Sequence, residues 1–163
     1  MDGKVWKTIW ALKVPPKVRN FIWRACRNIL PTKDNLHRRR MKVDSRCDIC
    51  CQQLKSNSHL LWECPLARTV WAILKGRVQK CSNQVHDFFH LFRMLNDKLT
   101  KMELEWWATT SWAIWNARNK FYFEKGQMQP RTIMDHATGL TGGLPATRSI
   151  SKHLLSHTWD TPY

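Results

Sequence analysis

The sequence is poor in acidic residues and contains no long apolar run. Its 163 residues include 12 Asp and Glu against 27 Lys and Arg, which leaves a formal net charge of +15. No stretch approaches the roughly 18 apolar residues that a membrane span requires. The opening segment also places Lys4, Lys7 and Lys13 where a signal peptide would carry its apolar core. We therefore expect an intracellular protein, in the nucleus or cytoplasm, with no membrane partner and with a polyanion as the first candidate partner.

Recognisable catalytic arrangements are missing as well. The sequence has no paired aspartates of the kind that a polymerase needs to hold two metal ions, and the seven acidic residues after position 80 do not form a ribonuclease H pattern. The chain can nevertheless bury a core, because 43% of its residues are hydrophobic and 10 are Trp. The sequence thus predicts a folded protein that is not an enzyme.

The positive charge is concentrated at the front of the chain. Residues 1–46 hold 13 basic and 3 acidic residues, whereas residues 81–163 hold 9 and 7. Because an anionic partner responds to local charge density, we expect the contact in the N-terminal third and its junction with the cysteines that follow.

Apolar residues recur at helical spacing through most of the chain, which predicts a mainly α fold, a bundle of about five helices. Pro15-Pro16 should end the first helix and start the second, whose apolar face reaches Ile29. Residues 101–124 contain no Pro or Gly and should form a central helix buried on more than one side. Other expected helices are a Thr32-capped segment ending near Met41, a segment from Pro65 to Gly76, one within 81–100 capped by Ser82 or Asn83, and a short one at Pro130–His136.

Four potential metal ligands, Cys47, Cys50, His59 and Cys64, follow the spacing C-x2-C-x8-H-x4-C. Zinc prefers tetrahedral thiolate and imidazole ligands, and three cysteines with one histidine make a closed structural site with no open position for an activated water. The pattern predicts one structural zinc ion in a knuckle between the third and fourth helices. Two alternatives stay open at this point: Cys51 replaces Cys50, or the cysteines serve packing alone.

The surroundings of this motif resemble a known family. The sequence resembles the zinc-binding domain of plant LINE-type (non-LTR) reverse transcriptases in a series of segments that occur in the same order. These are Val5-Trp6, Pro15–Phe21, Trp23–Ala25, Leu30–Leu36 and Arg39-Arg40, followed by the four ligands and by Trp71. The segment Trp112–Asn119 resembles the helical connector behind that domain. Two departures are Ser56, where relatives commonly have a glutamate, and Cys51, where a glycine is usual.

The resemblance implies a place and a role. In that family the domain lies between the polymerase and a ribonuclease H-like domain and is assumed to hold RNA or DNA near the polymerase. It implies a reverse-transcriptase-type zinc-binding domain at 1–80, a helical connector packed on it at 81–126, and a spacer with a poorly ordered C-terminus at 127–163. We expect a piece of a retrotransposon polyprotein without its polymerase and ribonuclease H domains.

Basic side chains near the motif are the expected nucleic-acid contacts. Phosphates should bind the cationic set, defined as Lys17, Arg24, Arg27, Arg38, Arg39, Arg40 and Lys42, and Trp62 should stack on unpaired bases of RNA or single-stranded DNA. Three alternatives remain: a solvated basic face with Trp62 in the core, a scaffold that docks polymerase or ribonuclease H parts, and a remnant without a present role.

Overall fold

Helices and the turns between them make up the described part of the chain. The computed structural model describes residues 2–51, 56–74, 76–81 and 85–141, and no β-strand occurs within these ranges. The predicted mainly α fold is therefore confirmed. In chain order the helices are α1 (Asp2–Ala11), α2 (Pro16–Cys26), α3 (Lys33–Arg38), α4 (Pro65–Ile73), α5 (Phe88–Lys98), α6 (Lys101–Glu124) and α7 (Pro130–Thr141).

A turn wider than an α-helix precedes α4, and a tighter turn follows it. A π-helical turn over His59–Glu63 precedes this helix, and a 3₁₀ turn over Arg77–Lys80 follows it. The cysteine-bearing knuckle consequently lies between α3 and α4, where the sequence predicts it. Helix α4 ends at Ile73, earlier than the predicted end at Gly76.

Helix α2 ends three residues before the predicted apolar face does. Asn28 adopts a left-handed conformation with φ of 53°. The N–H of Ile29 then bonds to the carbonyl of Arg24 and the N–H of Asn28 to that of Ala25, each at 3.0 Å. This is a Schellman motif, in which a left-handed residue closes the helix. Ile29 is thereby directed to the surface, where it is exposed.

A buried amide holds α3 against the end of α2. Asn35 Nδ2 donates to the carbonyls of Asn28 and Leu30 at 3.0 and 2.8 Å. The Thr32 side chain caps α3 by accepting from Asn35 N, as its sequence position predicts. Because these bonds satisfy backbone carbonyls between the two helices, they fix the conformation of the turn from α2 into α3.

Helix α6 is the centre of the fold, as predicted. A capping box between Thr100 and Glu103 fixes its start. Trp107, at the middle of one face, is fully buried against Trp71, Phe88 and Phe92. The helix packs against α2, α5, α7 and the π-helical turn. None of the described helices is both long and apolar enough to cross a bilayer.

Asp87 caps α5 by accepting a hydrogen bond from His90 N at 2.8 Å. The predicted caps, Ser82 and Asn83, lie outside the described residues. Serine, asparagine and aspartate are comparably good N-caps, and all three precede α5. The sequence alone therefore did not show which of them starts the helix.

Helix α7 includes the short helix predicted at Pro130–His136, within the segment that the domain prediction assigned to a spacer. It extends over Pro130–Thr141 and packs against α4 and α6. Ile133, Met134 and Ala137 have no exposed surface. The buried face of α7 consists of only four residues, Pro130, Ile133, Met134 and Ala137, and Gly139 follows it, so the periodic signal in the sequence is weak. The predicted poorly ordered segment after 141 lies outside the described residues.

The burial of α7 predicts that it contributes to stability. Met134→Ala should lower the free energy of unfolding by about 2–5 kcal/mol, because it leaves a cavity between three helices. Chemical denaturation followed by far-UV circular dichroism measures this change. His136→Ala is the matched control, since His136 is exposed on the same helix and should leave stability unchanged. An equal, small effect of both variants would contradict a structural role for α7.

Candidate metal centre

The four predicted ligands converge on one point. The ligand atoms of Cys47, Cys50, His59 and Cys64 all lie within 4.8 Å of one another. Cys47 Sγ and Cys64 Sγ are 3.8 Å apart, and Cys50 Sγ is 3.3 Å from His59 Nε2. Zinc–sulfur bonds of about 2.3 Å at tetrahedral angles separate two sulfurs by about 3.8 Å. The arrangement therefore has the size of a tetrahedral zinc site.

The first ligand pair comes from a tight turn that also distinguishes Cys50 from Cys51. The N–H of Cys51 donates to the carbonyl of Cys47 at 2.8 Å, and Cys51 takes the left-handed conformation with φ of 58°. Its thiol is exposed and lies 4.0 Å from the carbonyl of Asp48. Cys51 thus closes the turn, a position that glycine adopts without strain. The structure brings Cys50 into the site and leaves Cys51 outside it.

The second pair depends on the π-helical turn. In an α-helix, residues five apart point about 140° away from each other, so His59 and Cys64 could not face one ion. Here the N–H of Cys64 donates to the carbonyl of His59 at 2.8 Å, which makes the two residues neighbours across one wide turn. Ser56 Oγ accepts a hydrogen bond from His59 N at 3.2 Å and caps the start of this turn, at the position where the resemblance led us to expect a glutamate.

Side chains from outside the knuckle satisfy the carbonyls of this turn. Pro65 has no N–H to offer. The carbonyl of Leu60 accepts instead from Arg118 Nε, and the carbonyl of Leu61 from Trp71 Nε1, both at 2.9 Å. Arg118 belongs to α6 and is 4% exposed. The wide turn is thus supported by the central helix and by α4.

The charge of Arg118 fits a metal–thiolate centre. Its Nη1 donates to Cys47 Sγ at 3.5 Å, while its Nη2 is buried without a partner among the described residues. A zinc ion with three thiolates and a neutral imidazole has a net charge of about −1. One buried guanidinium balances that charge, whereas alone it would be an uncompensated buried cation. The four residues and Arg118 together fit a structural zinc ion.

The pKa values of two of the ligand thiols, Cys47 and Cys64, are shifted in opposite directions. The hydrogen bond from Cys64 lowers the pKa of Cys47 to about 2, against the opposing effect of burial and with further help from His59 and Arg118. The pKa of Cys64 is raised because it donates that bond and is buried, although Arg118 again favours its thiolate. Burial also raises the pKa of Cys26 and of Cys81, neither of which belongs to the predicted ligand set.

Two further contacts tie the knuckle to the N-terminal helices. Asn57 Nδ2 donates to the carbonyl of Ala25 at 3.0 Å, at the end of α2. Lys33 at the start of α3 forms a partly buried ion pair with Asp48, between the first two ligands. The knuckle is therefore attached to α2, α3 and α6 at once.

The described residues include a second group of possible ligands, His86, Asp87 and His90. Asp87 caps α5 and accepts from both imidazoles, at 3.1 Å from His86 Nδ1 and 2.8 Å from His90 Nδ1. The cluster is largely exposed, and the cap accounts for the position of its carboxylate.

The comparisons with known proteins agree with the geometry. Residues 2–71 match the family described as zinc-binding in reverse transcriptase. The resemblance predicted from the sequence is confirmed. A putative ribonuclease H protein of Arabidopsis thaliana is 25% identical over 108 residues, which cover 66% of this chain and 17% of the relative. The chain thus spans under a fifth of that relative's length. No solved structure matches.

The prediction that Trp62 stacks on bases is wrong. Its side chain is 1% exposed. The centroid of the Trp62 ring is 5.5 Å from that of Trp71, and the guanidinium carbon of Arg68 is 5.8 Å from the centroid of the Trp62 ring. Trp62 faces the core because the buried π-helical turn that carries His59 also carries it inward. The alternative interpretation, Trp62 as a core residue, is the one that the structure bears out.

The cationic set, in contrast, is exposed. The structure places all seven side chains at the surface: Lys17, Arg24, Arg27, Arg38, Arg39, Arg40 and Lys42. They come from two stretches, α2 with its C-cap and the last turn of α3 with the residues after it. Among the described residues, Arg38 is the one of the seven with an ion pair, to Asp34 at 3.3 Å.

Arg118, Asn57 and Lys33 are site residues that the sequence analysis missed. Only Arg118 had a signal, as the single charge in the otherwise neutral segment Trp112–Asn119. A lone arginine in an apolar stretch of a central helix indicates a buried partner. The partner itself, 71 residues away, could not be found from spacing.

The knuckle geometry predicts opposite outcomes for neighbouring cysteines. Cys50→Ser should reduce bound zinc well below one equivalent, because it removes a thiolate ligand. Cys51→Gly should retain one equivalent and be up to about 1 kcal/mol more stable, since glycine relieves the left-handed strain. Metal analysis of purified protein and denaturant unfolding measure both. Loss of zinc from the Cys51 variant alone would reverse the ligand assignment.

The role of Arg118 can be tested separately. Arg118→Met keeps the apolar stem but removes the bonds to Leu60 and Cys47, so zinc affinity should fall by about 10–100-fold. A competition titration with a chromophoric chelator measures the affinity. Lys120→Met, an exposed change on the same helix, should leave it unaltered. Unchanged affinity in the Arg118 variant would contradict a role in supporting the site.

Proposed function

We propose that this protein is a non-catalytic, zinc-stabilised module that binds RNA or single-stranded DNA mainly through phosphates. Zinc and the core hold α2 and α3 in place, and these helices present the cationic set. In this proposal the module positions a nucleic-acid strand for polymerase or ribonuclease H activity supplied by other parts of a retrotransposon-derived protein. The match to a zinc-binding segment of reverse transcriptase supports this context.

The observation that carries the proposal is the exposed and largely unneutralised charge of the cationic set. Six of its seven members have no ion pair with the described residues, and the first 46 positions hold only three acidic side chains. Like charges held close together on a folded surface repel each other, and a polyanion relieves that repulsion while releasing its own counterions. A phosphate backbone is the polyanion that such a surface fits.

Binding of this kind should be weakly selective for sequence. Phosphate contacts position a strand but do not identify its bases. The ligand set supports the non-catalytic part of the proposal, because three thiolates and one imidazole leave no open coordination position at which zinc could activate a water.

A docking platform for another protein is the second candidate function. Trp10 is half exposed on α1 and lies 6.4 Å from the ring of Trp23 on α2. Exposed tryptophan is enriched in protein interfaces. The occupant in this case would be a polymerase or ribonuclease H part of the same parent protein.

Salt dependence tests the phosphate contacts directly. If about five phosphates are neutralised, log affinity should fall with log salt concentration at a slope near −3.5 for single strands and −4.5 for duplex DNA. Fluorescence anisotropy with labelled RNA and DNA measures the slope. A slope near zero, or no binding at all, would eliminate the proposal and leave the docking platform.

Charge variants locate the contact. Arg39→Gln combined with Lys42→Gln should reduce the slope by about two, because two phosphates are no longer neutralised. Lys101→Gln combined with Lys120→Gln is the matched control, since it removes two exposed positive charges from α6, outside the cationic set. An equal effect of the control would indicate non-specific attraction to the net charge.

A further inference from the structure

One face of α6 carries a row of aromatic side chains that runs from the edge of the core, where Trp112 and Trp115 pack against it, to the exposed end of the helix. Trp112, Trp115, Tyr122 and Phe123 fall within an arc of about 100° on this helix and span roughly 16 Å along its axis. Trp112 and Trp115 are half-buried, whereas Tyr122 is 41% and Phe123 77% exposed. Tyr122 and Phe123 also contact each other edge to face, with centroids 5.0 Å apart. We call these four residues the aromatic stripe.

Lysines from three parts of the fold lie over the stripe. Lys17 Nζ on α2 is 4.4 Å from the centroid of Trp112. At the other end, Lys33 Nζ and Lys125 Nζ are 5.3 and 5.7 Å from the centroid of Tyr122. Rings and ammonium groups are therefore brought together along a single line of the surface, although they are far apart in the sequence.

The stripe is continuous with the surfaces already described. Lys17 belongs to the cationic set, and Lys33 is paired with Asp48 inside the zinc knuckle. A strand that follows the stripe would thus run from the cationic set on α2 to the knuckle. This direction links the cationic set to the zinc site over a path of about five stacked nucleotides at roughly 3.4 Å each.

We propose that the aromatic stripe stacks the unpaired bases of a single-stranded nucleic acid, while Lys17 and Lys125 beside it bind the adjacent phosphates. This proposal rests on the proposed function and adds the strand state and the base-contacting residues. It transfers base stacking from Trp62, which is buried, to Tyr122 and Phe123, which are accessible.

The chemistry favours a single strand over a duplex. Base–aromatic stacking needs an exposed base face, and a duplex keeps its base faces inside. Without a strand, lysines cover part of the Trp112 and Tyr122 rings through cation–π contacts, which are weak at an exposed site. When a strand binds, the ammonium group would pair with a phosphate and the ring would stack on a base. Both interactions are stronger than the cation–π contact that they replace.

The experiment compares two nucleic acids and a double variant. Tyr122→Ala combined with Phe123→Ala should weaken binding to a labelled single-stranded oligonucleotide by about tenfold or more, and should leave binding to a duplex of the same length unchanged. Fluorescence anisotropy at one fixed salt concentration measures both. The two side chains are exposed, so the variant should fold normally, which circular dichroism checks.

Two controls separate ring stacking from other effects. Tyr122→Phe keeps the ring and should bind the single strand as the parent protein does. Met102→Ala removes a side chain that is 58% exposed on the same helix, outside the stripe, and should have no effect. If the double variant binds both nucleic acids like the parent protein, the stripe does not stack bases and the proposed function stands. If the parent protein binds neither, both proposals fall.

Discussion

The guanidinium of Arg118 connects the zinc knuckle to the central helix, and much of the fold depends on that connection. Its Nε completes the hydrogen bonding of the Leu60 carbonyl, and its Nη1 donates to the Cys47 sulfur. A buried cation requires a compensating anion, and a buried zinc–thiolate centre of net negative charge requires a cation. Each therefore makes the burial of the other tolerable, so the knuckle is part of the helical core and not an independent finger.

The π-helical turn follows from the same constraint. An H-x4-C spacing can serve one metal ion only if the helix widens between His59 and Cys64, and widening disturbs the regular hydrogen bonds of the backbone. Arg118 and Trp71 supply donors to the affected carbonyls. The turn also carries Leu60, Leu61 and Trp62 into the core, which ties the position of the ligands to the packing around Trp107 on α6.

Helix α6 consequently serves both the core and the surface. Its side chains Leu104, Trp107 and Ile114 pack into the core, whereas its last turns expose Tyr122 and Phe123 of the aromatic stripe. The tryptophans that the structure describes are likewise divided among the core, its edge and the surface. This division explains why aromatic content alone was a poor indicator of base stacking. Trp62 is a residue type that commonly stacks on bases, but it lies in the core.

Local features of the sequence determined the helices that begin at Pro16 and Pro65, the cap at Thr32 and the spacing of the four ligands, because each depends on residues within a few positions of one another. Tertiary structure decided the rest. The choice of Cys50 over Cys51 rests on a backbone turn, the burial of Trp62 on its neighbours in space, and the burial of α7 on a contact with α4 and α6. Long-range packing and charge compensation have no fixed spacing along a chain, so only the folded structure brings Arg118 to Cys47.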